Sequence, residues 1–177
     1  SRLKSHYRSL DDETITDAFL DRYINDLDPN KIYFLNDDIK KMAPYREVAY
    51  EQLKKGNLTP GFDIFNLYQE RVVERLDYLL KQLEEGLPTL EYNEDEEILI
   101  DRKEASWADS REALDELWNK RLAHAIISMR LDGVEDEEVH KRLTRRYKSQ
   151  KKRVKQNSAE DVFQFYVNAL GQVYDPH

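Results

Sequence analysis

The sequence predicts an all-α fold, and three observations carry that prediction. Gly and Pro are scarce at five each, while 36% of the residues are charged and 40% hydrophobic, a mixture suited to amphipathic helices rather than sheets or disorder. Apolar residues recur at spacings of three and four along most of the chain, the helical period. Between these runs stand helix-ending and helix-starting signals: Asp28-Pro29, Gly56, Thr59-Pro60, Asp132-Gly133 and Asn157-Ser158. At 177 residues the chain suits one domain with a real core and is marginal for two. The expectation is a single domain of about six helices.

The first helix is expected from Asp11 to Asp26, with Ser9 and Asp12 forming a start like a capping box. Ile15, Phe19, Tyr23 and Leu27 fall four apart on one stripe, and Pro29 stops the helix because its ring blocks continuation. "KIYFLNDDI" follows. Ile32 to Leu35 read as an extended connector, and Asn36 with Asp37 and Asp38 starts a second helix, reaching Lys55 with a bend or restart at Pro44. Gly56 ends it.

The clearest helix comes next, with Thr59 as cap and Pro60 in the first helical position. Phe62, Phe65, Tyr68, Val72, Leu76, Leu79 and Leu83 repeat at threes and fours, so the helix should run to about Glu85 and span ~40 Å at ~1.5 Å per residue. Residues 88–101 lose the period. "TLEYNEDEEILIDR" holds two short β-prone pieces around an acidic turn, so a small hairpin or an extended loop is expected there.

A fourth helix is expected from Ser106 to Leu131, with Leu114, Leu117, Trp118, Arg121, Leu122, Ala125 and Met129 inward. On that reading Trp107 and Trp118, eleven residues apart, project in nearly the same direction. A fifth, Asp136 to Gln156, has Val139, Leu143, Tyr147 and Val154 as its apolar edge. In a last helix Ser158 and Asp161 make a second capping-box pair, and Val162, Phe163, Tyr166, Ala169 and Leu170 pack.

Several function classes are excluded or weakened by what is missing. No stretch approaches the ~20 apolar residues of a membrane span. The absence of Cys removes disulfides, thiolate metal sites and a Cys nucleophile. His6, His124, His140 and His177 have no partner at a metal-binding spacing. "NDD" at 36–38 suits a helix start better than a cation site, and "NEDEE" at 93–97 lacks the alternating ligands and central Gly of a calcium loop. No GxSxG, SxxK or P-loop pattern occurs. On its residues the chain is not a self-sufficient enzyme: no catalytic residue, metal or cofactor is expected.

Interaction is the remaining class. Lys141, Arg142, Arg145, Arg146, Lys148, Lys151, Lys152, Arg153 and Lys155 share the fifth helix with no acid among them. Such a helix can contact phosphates or face an acidic protein surface. With a net charge of −8, a solvated or internally paired face is preferred, and no nucleic acid is expected. Aromatic residues on helices are core first, and anchor pockets for a peptide second. The candidate interaction residues are Tyr33, Phe34, Trp107, Trp118, Arg145 and Arg146. Whether Tyr33 and Phe34 face this domain's own core or another domain is open from sequence.

Taken in order, "HYRSLDDETITDAFLDRYINDLDPNKIYFLNDDI", "LKKGNLTPGFDIFNLYQERV", "IDRKEASWADSREALDELWNKRL", "RLTRRYKSQ", "SAEDVFQFYVNAL" and "DPH" resemble the N-terminal region of the tail-specific proteases, in the carboxyl-terminal processing peptidase family. The resemblance implies that residues 1–177 form a helical domain preceding a PDZ domain and a serine protease core with a Ser/Lys dyad. It also implies a periplasmic location with a signal peptide removed, protein substrates with apolar C-termini, and docking of an adaptor protein. No catalytic residue carries over, because neither dyad residue has a matching position here.

Overall fold

The computed structural model describes residues 11–90 and 101–175. It is all-α, as composition and periodicity predict: seven α-helices and no strand among the described residues, apart from one isolated bridge. The hairpin or loop expected over 88–101 falls mostly on 91–100, which lie outside the described residues. The chain clusters into two compact units: Ser1–Pro29, Asn36–Tyr68 and Asn157–His177 form the first, Asn30–Leu35 and Gln69–Gln156 the second.

In the first unit α1 runs Asp12–Leu27. Its cap is Asp11 rather than Ser9: Asp11 is extended, and its carboxylate accepts the Thr14 N–H at 2.8 Å. That bond to the backbone of Thr14 also holds the Asp11 carboxyl below its ordinary pKa. Ile15, Phe19 and Tyr23 are buried as the spacing predicts, joined by Leu20 and Ile24 one residue further round. Of the bend or restart expected at Pro44 within 36–55, the structure shows the restart: α2 (Asn36–Met42), a 3-10 turn (Ala43–Glu47) carrying Pro44, and α3 (Ala49–Lys54). Pro44 has no N–H to donate to a continuing helix, which accounts for the restart.

Gly56 follows in the left-handed region at φ 80, where a side chain is strained. The cap of α4 (Thr59–Gln82) is supplied by Asn57, whose side chain accepts the Thr59 N–H at 3.0 Å. Thr59 and Pro60 are therefore the first two helical residues, each one position later than the sequence suggests. Residues of α4 up to Tyr68 belong to the first unit, and those from Gln69 to the second.

Aromatic packing between α1 and α7 (Ala159–Tyr174) organises the first unit. The Tyr166 ring lies 4.7 Å from Phe19 and 4.8 Å from Tyr23, centroid to centroid. Tyr23 Oη donates to the Gly61 carbonyl at 2.9 Å, and the Tyr166 ring covers Gly61 so closely that a Cβ there would meet it at 2.9 Å. Gly61 is required by that approach. The Ser158–Asp161 capping box forms as expected, with reciprocal bonds of 3.1 and 2.9 Å. Val162, Tyr166 and Ala169 take the buried face of α7, whereas Phe163 is 42% exposed. The expectation that Phe163 packs is corrected: it sits one residue off a stripe that follows i, i+4, i+7.

The second unit packs the later part of α4 with α5 (Arg111–Leu131) and α6 (Asp136–Lys155). Tyr78 bonds Asn119 at 2.8 Å, Gln69 bonds the Val154 carbonyl at 2.9 Å, and Lys151 pairs with Asp77 at 2.6 Å. The α5 stripe is Leu114, Trp118, Leu122 and Ile126; Ile126 belongs to it, while Leu117, Ala125 and Met129 are half-buried. Val139, Leu143, Tyr147 and Val154 face inward on α6 as predicted. Arg75 is 3% exposed and neutralised by Asp115 at 2.6 Å, with its guanidinium 5.3 Å from the Tyr78 ring. Burial works against the Glu74 carboxylate, but bonds and charge from Arg111 and Arg71 outweigh it and hold the group below its usual pKa.

Substituting Gly61→Ala should lower the urea midpoint by the equivalent of ~1–3 kcal/mol, because the new methyl overpacks a buried ring. Gly171→Ala in α7, where the added Cβ meets open space, should instead be neutral or stabilise by ~0.4–1 kcal/mol.

Candidate functional site

The site begins with the connector. Lys31 sits at φ 55, and from there the chain runs without helix to Leu35, which forms a parallel bridge to Ala108. The Trp118 indole N–H donates to the Ile32 carbonyl at 2.7 Å. Lys31 Nζ bonds the Lys103 carbonyl at 2.5 Å, and Arg102 Nε bonds the Asn30 carbonyl at 3.1 Å. Successive side chains of an extended segment alternate in direction: Ile32 and Phe34 are buried at 6% and 0% exposure, while Tyr33 is half-buried between them.

This alternation sorts the four aromatic candidates into two pairs. Tyr33 packs on Trp118 at 5.5 Å, and Phe34 meets Trp107 edge-on at 5.9 Å. The expected common direction of Trp107 and Trp118 along one helix is corrected. α5 begins at Arg111, capped by Ser110, whose Oγ accepts the Ala113 N–H at 3.1 Å. Trp107 precedes it in non-helical chain. The helix starts after the Ser110 cap, five residues later than Ser106, and helical phase does not extend past the cap.

Arg145 and Arg146 are separated as well, because neighbours on a helix point ~100° apart. Arg145 lines an open, largely cationic face with Lys141, Lys148 and Lys152, a shallow concavity of about 640 Å³. Of the remaining basic run, Arg142 pairs with Glu138 at 3.0 Å and Lys151 with Asp77 at 2.6 Å. The basic helix is thus partly paired and partly exposed. Arg146 turns the other way and lines a cavity of about 280 Å³ together with Tyr33 and Trp118.

Three further residues of that cavity, Arg121, His124 and Tyr147, were not singled out by sequence as site residues. The Arg121 guanidinium stands 5.0 Å from the centroid of the Trp118 ring. Its Nε is buried without a hydrogen-bond partner among the described residues. Burial pushes the Tyr147 hydroxyl pKa up, with Arg146 and Arg121 acting in the opposite sense, so both cations are felt at that hydroxyl. The available signal was spacing. Trp118, Arg121 and Ala125 lie on one ridge of α5, and Arg146 and Gln150 are four apart on α6.

Among the described residues no three His, Asp or Glu side chains cluster where a metal ion would be held. Asn36 opens α2, with Asp37 exposed and Asp38 1% exposed in its first turn. No helix among the described residues is long and apolar enough to cross a membrane. The geometry sets paired aromatic rings and two guanidinium groups at one cavity, with a separate cationic face.

An all-α domain with such surfaces is defined by the structure, and comparison with known proteins gives its family. The model of the tail-specific protease N-terminal domain matches residues 2–177. The chain is 35% identical over 176 residues to the tail-specific protease of Haemophilus influenzae, covering 98% of this chain and 25% of the relative. The chain belongs to the tail-specific protease N-terminal domain family, and it spans about a quarter of the length of that relative.

Two substitutions test the connector. Trp118→Phe, which keeps most of the ring and removes the N–H, should cost ~1–2 kcal/mol in chemical denaturation. Phe34→Ala should cost ~3–5 kcal/mol, as for an aromatic ring at 0% exposure; a near-neutral midpoint would overturn its assignment to the core of this chain.

Proposed function

We propose that this chain is the non-catalytic N-terminal region of a periplasmic tail-specific serine endopeptidase. It forms part of the protease body, helps position protein substrates with apolar C-termini, and docks partners such as an adaptor protein. The observation that carries this reading is the end-to-end family match, in which the chain corresponds to only 25% of its relative. The greater part of such a protein lies elsewhere. By resemblance that part holds a PDZ domain and a Ser/Lys protease core, and the periplasmic location follows the same resemblance.

Two surfaces suit a docking role. Phe163 and Tyr174, eleven residues apart and so on nearly the same side of α7, are 42% and 40% exposed. The exposed cations of α6 supply complementarity to an acidic protein surface, which sets encounter rate and orientation more than affinity.

The reading is tested by activity and by sequence. The isolated chain, incubated with a polypeptide ending in an apolar tail, should leave it intact, while the full-length protein should cleave it; cleavage by the chain alone overturns the assignment of chemistry to other domains. The reading frame beyond His177 should encode a PDZ-like segment and a Ser/Lys core, and an immediate stop codon would overturn it.

A further inference from the structure

We propose that the cavity bounded by Arg121, Arg146, His124, Trp118, Tyr33 and Tyr147 is a binding site for a carboxylate carried on a planar, apolar body of about one side chain's size. This inference goes beyond the family assignment and does not rest on it.

The first support is charge. Two guanidinium groups and an imidazole line the cavity, and none of its lining residues is acidic. Among the described residues neither Arg121 nor Arg146 has a carboxylate partner, in contrast to Arg22, Arg46, Arg71, Arg75, Arg111, Arg130 and Arg142, which all do. In a molecule of net charge −8, two unneutralised arginines at one cavity concentrate positive potential where an anion would sit.

The second support is an unmet donor. Arg121 makes no hydrogen bond among the described residues, and its Nε is closed off from solvent, so the terminal amino groups are the donors a ligand would meet. A carboxylate is the complement a guanidinium fork takes, because its two oxygens accept two parallel N–H bonds. The Arg121 guanidinium is already oriented by the Trp118 ring at 5.0 Å, so little rotamer freedom remains to be lost on binding.

The third support sets the body of the ligand. Tyr33 and Trp118 are packed at 5.5 Å, and Trp118 is in turn held by its bond to Ile32, so the aromatic wall is rigid before a ligand arrives. About 280 Å³ lies near the low end of small-ligand sites, which admits a benzoate-sized group and excludes a nucleotide. The cationic face of Lys141, Arg145, Lys148 and Lys152 has no Trp, Tyr or Phe in its lining and includes Glu137, so it offers charge without this shape.

A free aromatic acid and an acidic side chain beside an aromatic one in a polypeptide present the same chemistry. Benzoate and the blocked dipeptide acetyl-Phe-Glu-amide are the two probes, with acetate and benzamide as contrasts, titrated into the full chain. The readout is fluorescence of the two Trp residues, assigned to Trp118 in a Trp107→Phe background, or by the indole N–H resonances of the unsubstituted chain if that variant does not fold. A saturable Trp118 response to benzoate with half-saturation of ~1–10 mM is expected. Benzamide and acetate should respond at least about tenfold more weakly. A response to the dipeptide alone assigns the source to polypeptides and also supports the site.

Arg121→Gln and Arg146→Gln should each weaken binding about tenfold or more with helical content unchanged. Arg146 is exposed, so its replacement keeps the test valid even if Arg121→Gln unfolds. Absence of a Trp118 response to both acids, an equal response to benzamide, or binding indifferent to Arg146→Gln would each overturn the proposal.

Discussion

The hydrogen bond from the Trp118 indole to the Ile32 carbonyl, 2.7 Å long and made by a residue only 4% exposed, is the constraint on which the second unit's surface depends. It pins an irregular segment whose polar backbone groups would otherwise need water. With Ile32 held, the pleat of the following residues sends Phe34 towards Trp107 and Tyr33 onto Trp118. The same indole orients the Arg121 guanidinium. One ring therefore serves as donor, stacking partner and cation platform, and the cavity's geometry follows from its position.

The first unit uses its aromatic residues differently. Phe19, Tyr23 and Tyr166 form a closed cluster, with Tyr166 only 1% exposed and Tyr23 fully buried. Its specificity comes from a backbone approach at Gly61, where the missing Cβ makes room for a ring and the carbonyl accepts a tyrosine hydroxyl. That arrangement buries the three rings against one another. In the second unit the Tyr33–Trp118 pair instead lines a cavity.

Charge is distributed on the same logic. Seven arginines among the described residues are matched to carboxylates, several within a helical turn or between packed helices. Arg121 and Arg146 stand apart, and the exposed stripe of α6 stands apart again. Exposed single ion pairs contribute little to stability, so this pairing does little to hold the fold together.

Much of this was legible in the sequence. Helix identity followed from local physics: the three- and four-residue spacing of α1, α4 and α6, the Ser158–Asp161 box, Gly56 as a stop, and "KIYFLNDDI" as connector followed by helix start all depend on residues close together in the chain. The cap at Asp11 rather than Ser9, and the start of α5 at Arg111 rather than Ser106, are boundaries that the backbone path decides. Tertiary structure alone decided that Trp107 leaves the helix of Trp118, that Arg145 and Arg146 line different surfaces, and that half-buried Arg121 lies beside a ring supplied by its own helix and at one cavity with a cation supplied by another. The reason is range: spacing encodes which face of a helix is apolar, but a cavity is made by side chains from separate elements, and their convergence is set by packing that no single segment contains.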